Sequence, residues 1–223
     1  GTMTLAQVHD ILRQGDEVGT VKWIYFEGGE PFLYYAVLKR AIEAAALHGY
    51  KIGLVSNAYW ATSREDALEC LRPFAGLLHD LSISEDRYHG DQNATKLAQN
   101  AAMAAKELGI PTLNLSIAQP EETSAMAARG QLPEGESAVQ FRGRAAEKLA
   151  ARANGRPWTE FTECPCEDFQ DPGRVHVDHL GNLHICQGLS IGNLFQKPLK
   201  EIWDEYDPAA HPVIGPLMRG GPV

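Results

Sequence analysis

No stretch of the 223 residues is apolar for long enough to span a bilayer. The opening G-T-M-T-L-A-Q-V-H-D lacks the basic and apolar regions of a secretory signal, so the expected location is cytoplasmic. Positive charge is scarce as well. Twenty Lys and Arg stand against 29 Asp and Glu, and the formal net charge of -9 argues against a nucleic-acid groove or an anionic membrane surface. Small-molecule or protein partners fit that balance better. The chain has only four cysteines, too few for a disulfide scaffold at this size. Three of them crowd late, at Cys164, Cys166 and Cys186, which suits metal or cluster chemistry more than folding staples. There is no low-complexity tract, and no internal repeat beyond an alternation of strand and helix. With 44% hydrophobic residues, the chain is expected to be globular, with one large core or one core and a small appendage.

Thr4 and Gln7 fit a capping box, and Leu5, Val8, Ile11 and Leu12 follow at helical spacing, so the chain opens on a helix. Val21 to Phe26 reads as a buried strand, and Pro31 to Leu47 as a helix closed by Gly49. Further strands are expected at Lys51 to Val55, Leu77 to Ile83, Thr112 to Ile117 and Ala138 to Phe141. Between them lie a helix capped by Ser63 and an Ala-rich helix ending at Gly109. A last helix of this series runs from Arg144 to Arg152. The strand ends recur at roughly the thirty residues that a strand, a crossover helix and a return require. The fold class is therefore α/β, a parallel sheet with helices outside it. Such folds place ligands at the carboxyl ends of the strands. The last third breaks the rhythm: R-V-H-V-D-H-L-G-N-L-H-I-C reads as two short strands around a Gly-Asn turn, a helix starts near Pro198, and G-P-L-M-R-G-G-P-V reads as a loop.

At the first strand end stands I-Y-F-E-G-G-E-P-F-L. Two glycines allow close approach to the backbone, and a proline opens the next helix. Such a turn either only connects or also binds. Glu27-Gly28-Gly29-Glu30-Pro31, then Ser56-Asn57, Ser84-Glu85-Asp86-Arg87-Tyr88-His89 and Arg142-Gly143-Arg144-Ala145 at later strand ends, together resemble a radical S-adenosylmethionine (SAM) enzyme. The resemblance runs from about Leu5 to Asp207. It implies a partial (β/α) TIM-like barrel over residues 1–157 and a β-hairpin and helix extension over 158–223. In this family a [4Fe-4S] cluster on three cysteines cleaves SAM reductively, and the resulting radical abstracts hydrogen from substrate. The resemblance places the SAM ammonium on the turn Gly28, Gly29, Glu30 and Pro31, because an ammonium needs acceptors. Ser56, Asn57 and Ser84 would contact its ribose or carboxylate. Arg142 or Arg144 would pair with that carboxylate, unless they serve as surface ion-pair or helix-start residues.

Cys166, fourteen residues, Gly181, four residues and Cys186 resemble the opening of the auxiliary-cluster extension called SPASM or twitch. Three readings of Cys164, Cys166 and Cys186 stay open: an iron-sulfur cluster, zinc, or free thiols. His184, a cysteine beyond Val223 or substrate would complete a ligand set. Cys70, beside Leu68 and Leu71, reads as a buried structural thiol, and His89 as a rim residue facing either substrate or solvent. The defining C-x3-C-x2-C motif of the family does not occur in these 223 residues. The sequence thus reads as a fragment of a radical SAM enzyme, inactive alone, whose exposed sheet edge would invite a dimer or partner. The competing reading is a cluster-less barrel that binds a ligand or peptide. The family's extended members often modify peptides or proteins, and the acids Glu85, Asp86 and Asp91 would suit a basic partner if they are not simply solvated. A Schiff-base aldolase barrel is disfavoured, since no lysine is suitably placed at a strand end.

Overall fold

The computed structural model describes residues 1–84, 94–117, 136–137, 144–153, 155, 157–160, 162, 168–186 and 188–221. The first helix, α1 (Leu5–Val18), has the expected box: Gln7 N–H donates to Thr4 Oγ1, and Thr4 N–H donates to the Gln7 side chain at 2.8 Å. After it come β1 (Trp23–Phe26), a 3-10 turn (Pro31–Tyr34), α2 (Tyr35–Leu47), β2 (Lys51–Ser56), α3 (Arg64–Leu71) and β3 (Asp80–Ser84). Next are α4 (Ala94–Glu107), β4 (Thr112–Ile117), β5 (Glu136–Ser137) and α5 (Arg144–Leu149). The five strands form one parallel sheet in sequential order, with β1 at its edge. The Ala138 to Phe141 strand of the sequence reading lies outside the described residues. Pairing with β4 is made just before it, by Glu136 and Ser137.

The two faces of the sheet differ. Ile52, Leu54, Leu81 and Ile83 are fully buried on one face, in a core with Leu12, Ile42, Leu71, Phe74 and Ala101 from the helices. The opposite face carries Trp23, Tyr25 and Leu113, which are 39%, 47% and 41% exposed. A parallel sheet is ordinarily covered on both faces. One open face is what a strand wall presents to the lumen of a partial barrel. On that face Trp23 and Tyr25 stack, with ring centroids 5.6 Å apart, and Lys51 Nζ lies 5.5 Å over the Trp23 ring. Gly53 stands opposite Tyr25 in the register, and the Tyr25 ring occupies the space a Cβ would need.

The remainder is a smaller antiparallel sheet of β6 (His176–Val177), β7 (Asn182–Cys186) and β8 (Leu189–Asn193), followed by α6 (Leu199–Asp204) and α7 (Ile214–Gly220). The expected hairpin is present, and β8 adds a third strand to it. The C-terminal segment, read as a loop, is a helix. Pro216 sits in its first turn, where no intrahelical N–H is required, while Ile214 is fully buried and packs with Leu217 and Phe169. Helix α1 carries the extension. Ile11 and Val18 pack against Leu183, Leu194, Leu199 and Ile202, and the buried Gln14 amide donates to Leu194 O at 3.1 Å and accepts from Leu199 N at 2.8 Å.

Candidate functional site

The carboxyl ends of β1 and β2 are held together by one carboxylate. Glu30 is buried, and its Oε1 accepts from Phe32 N at 3.1 Å and from Ser56 Oγ at 3.0 Å. Its Oε2 accepts from Asn57 N at 2.8 Å. Phe32 locks the turn from beneath, stacking on Trp60 with centroids 4.2 Å apart and meeting Phe74 edge-on. Two acceptor positions per oxygen leave one vacant on Oε2. Among the described residues no cation pairs with Glu30. A buried carboxylate without a cation is costly, which makes this position complementary to one.

Beside it, Gly28 has φ +128, a conformation that disfavours any side chain, and a Cβ placed on Gly28 or Gly29 would meet nothing within 4 Å. Among the described residues no donor occupies the carbonyl of either glycine. The turn thus presents open backbone acceptors next to a carboxylate with spare capacity, the acceptor set that an ammonium requires. This is the turn on which the sequence resemblance places the amino group of SAM. No loop of three cysteines occurs among the 223 residues.

The other residues singled out in the sequence fall as follows. The Ser56 hydroxyl is buried and fully engaged: it donates to Glu30 and accepts from Ala58 N at 3.1 Å and Trp60 Nε1 at 2.9 Å. Asn57 supplies its N–H to Glu30, and its side-chain oxygen accepts from Tyr59 N at 3.0 Å. Ser84 ends β3 on the same sheet edge, half-buried. Arg144 opens α5. Arg142, Glu85, Asp86, His89, Asp91, Cys164 and Cys166 lie outside the described residues. Cys70 is half-buried against the main core, and its thiol is pushed up by burial and by the nearby Asp66 and Glu69 carboxylates.

Several contributors carried no sequence signal. Ala58 holds φ +56 at the end of the β2 loop while completely buried, a conformation uncommon for a residue with a Cβ. Glu27, directly before the glycines, pairs with His176 Nδ1 at 2.8 Å across 149 positions of sequence. This bond holds the Glu27 carboxyl below its ordinary range against the opposing effect of burial. The hairpin of the extension therefore reaches the Gly28-Gly29 turn itself. His176 stands opposite His184 in the β6–β7 register. Asp178 fixes that hairpin by accepting from Leu180 N at 2.9 Å, Asn182 N at 2.9 Å and Asn182 Nδ2 at 2.8 Å, with His184 Nε2 at 3.3 Å. Burial pushes the Asp178 carboxyl up, but these donors outweigh it and hold the group at about 2. Gly181 completes the turn with φ +85, and its missing Cβ leaves room for the Phe195 ring, which would lie 2.5 Å from that atom.

No family model matches the chain. A 71-residue segment, 31% of the chain and 22% of the relative, is 37% identical to the Bacillus subtilis (strain 168) "Putative peptide biosynthesis protein YydG". Among solved structures, Streptococcus suis SuiB bound to S-adenosylmethionine aligns over 96% of this chain at 14% identity with a TM-score of 0.50. BtrN in complex with AdoMet and 2-DOIA aligns over 99% of the chain at 15% identity with a TM-score of 0.49. The chain spans 60% of the SuiB chain. The SuiB alignment shows a shared fold. The strand-end motifs resemble those of radical SAM enzymes, and the fold is the one shared with SuiB.

Proposed function

We propose that this chain is the SAM-holding part of a radical SAM enzyme acting on a peptide. The observation that carries the reading is the Glu27–Glu30 turn: open glycine backbone beside a buried carboxylate with a vacant acceptor position, at the carboxyl edge of a parallel sheet. Gly28 and Gly29 offer carbonyls and Glu30 a carboxylate oxygen to the ammonium. Asn57 and Ser84 flank the same edge. Arg142 is a candidate for the SAM carboxylate. With a cluster, SAM supplies a 5'-deoxyadenosyl radical; the groups described here bind and orient it. Substrate would lie against the open sheet face that displays Tyr25 and Leu113. The similarity to a protein named for peptide biosynthesis supports a peptide, and the SAM complex of SuiB supports the cofactor. Cys164, Cys166 and Cys186 would hold a second metal centre.

Calorimetric titration of the chain with SAM tests the reading, using Gly29→Ala as the variant. No atom crowds a Cβ at Gly29, so thermal stability should stay unchanged while affinity falls about tenfold, roughly 1.4 kcal/mol, as the methyl group blocks close approach. Equal affinity in the variant, or no binding by the wild type at millimolar SAM, would remove the assignment. Iron and sulfide content of the full gene product separates radical chemistry from a barrel that only binds.

A further inference from the structure

We infer that His176 is a positioning residue for the Gly28-Gly29 turn, so that the C-terminal extension sets how tightly SAM is held; this rests on the reading of that turn as the SAM ammonium site. The turn needs an anchor at each end. The ladder between β1 and β2 stops at the Phe26–Leu54 pair, and Glu27 is the first residue beyond it. Gly28 and Gly29 follow, with φ +128 at the former and no atom within 4 Å of a Cβ built on either. Glycine has the widest backbone freedom of any residue, and it has no side chain to restrain it. The two carbonyls therefore point where the flanking residues aim them. At the far end Glu30 is tied to Phe32, Ser56 and Asn57. At the near end the Glu27 carboxylate pairs with His176 Nδ1 at 2.8 Å, and since a carboxylate only accepts, the proton lies on that nitrogen.

The histidine is itself held from both sides. Val175 and Val177 pack into the core of the extension with Leu183 and Leu194, and the alternation of an extended strand turns His176 the other way, to Glu27. In the β6–β7 ladder Val177 pairs with Leu183, and His176 with His184. Helix α1 completes the frame: Ile11 and Val18 enter the core of the extension, while Val8 and Leu12 are buried in the core under the large sheet. The imidazole thus hangs from a scaffold shared with the sheet whose edge it holds. With the His176 side chain 23% and the Glu27 side chain 43% exposed, the pair adds little to global stability. Its effect falls on the order of the two glycines, and a site ordered before its ligand arrives loses less freedom on binding.

The test is calorimetric titration of the full chain with SAM, joined to NMR order parameters of the Gly28 and Gly29 amides without ligand. His176→Ala should weaken SAM roughly three- to tenfold and lower the two amides from about 0.85 towards about 0.6, with the urea midpoint nearly unchanged. His176→Asn sets an amide nitrogen where Nδ1 stood and should restore affinity to within about twofold of the wild type. Gly181→Ala, in the hairpin turn, loosens the strand that carries His176; it should weaken SAM in the wild-type background and add nothing to His176→Ala. Additive losses would mean that the extension acts on the turn by another route, and would overturn the role of His176. The inference falls alone if Gly29→Ala weakens SAM while His176→Ala binds as the wild type does, or if His176→Asn is as weak as His176→Ala. No binding by the wild type at millimolar SAM overturns the ammonium site and the positioning role together.

Discussion

Glu30 joins three backbone or hydroxyl donors from two strand ends, so its removal tests structure and binding together. In Glu30→Ala the Phe32 and Asn57 amides and the Ser56 hydroxyl lose their acceptor in a buried setting. The expected destabilisation is roughly 2–4 kcal/mol, read as a lowered urea midpoint. Asp178 gives a pH signature. Its folded carboxyl sits at about 2, below the ordinary 3.8, so the unfolded chain takes up the proton more readily. Its stabilisation is therefore complete above about pH 4 and is lost as the pH falls from there towards 2. Asp178→Asn should abolish that acid-dependent loosening of the β6–β7 hairpin. Amide exchange at Leu180 and Asn182, followed by NMR across the window, checks it, and an unchanged profile would exclude Asp178 as the source.

At the scale of elements, α1 serves both sheets, and Gln14 is the polar joint. Gln14→Ala strands Leu194 O and Leu199 N and should cost roughly 1–3 kcal/mol, with faster hydrogen exchange in β8 and α6 than in β2 or β3. Equal acceleration in both sheets would mean that the extension and the barrel wall open as one unit. Gly181→Ala meets the Phe195 ring and a positive φ, so it too should loosen the extension and leave β1 to β4 protected. These joints explain where the sequence was legible. Helical period placed α1 to α4 and apolar runs placed β1 to β4, since both signals are local in the chain, although β1, read as a buried strand, alternates exposed and half-buried residues. The capping box at Thr4 and the Ser63 cap were equally local. Strand β8 was not visible, since L-S-I-G-N has only two apolar residues in alternation and its Gly192 is explained by Ile202, ten positions away. Helix α7 was hidden by its Pro and Gly content, and only burial of Ile214 shows why it forms. The Gly28-Gly29 turn was readable as motif, whereas the Glu27–His176 and Ser56–Trp60 contacts depend on folding and left no trace in spacing.

For the molecule as a whole, the proposed reading separates holding SAM from cleaving it. The turn that would accept the ammonium lies within the described residues, whereas reductive cleavage would need an electron delivered through an iron-sulfur cluster. The four cysteines of the chain cannot supply its loop: Cys70 is alone on α3, Cys164 and Cys166 are one residue apart, and Cys186 follows on β7. The expected outcome is that the 223-residue chain, reconstituted anaerobically with iron and sulfide and reduced with dithionite, forms no 5'-deoxyadenosine from SAM above the protein-free control. The same preparation should nevertheless retain SAM in equilibrium dialysis, and bind it about tenfold more weakly in Gly29→Ala. Chromatographic quantitation of 5'-deoxyadenosine decides the matter. Turnover by this chain alone would mean that the late cysteines, rather than a separate loop, carry the reducing cluster, and would move the reacting centre from the strand ends to the β7 strand.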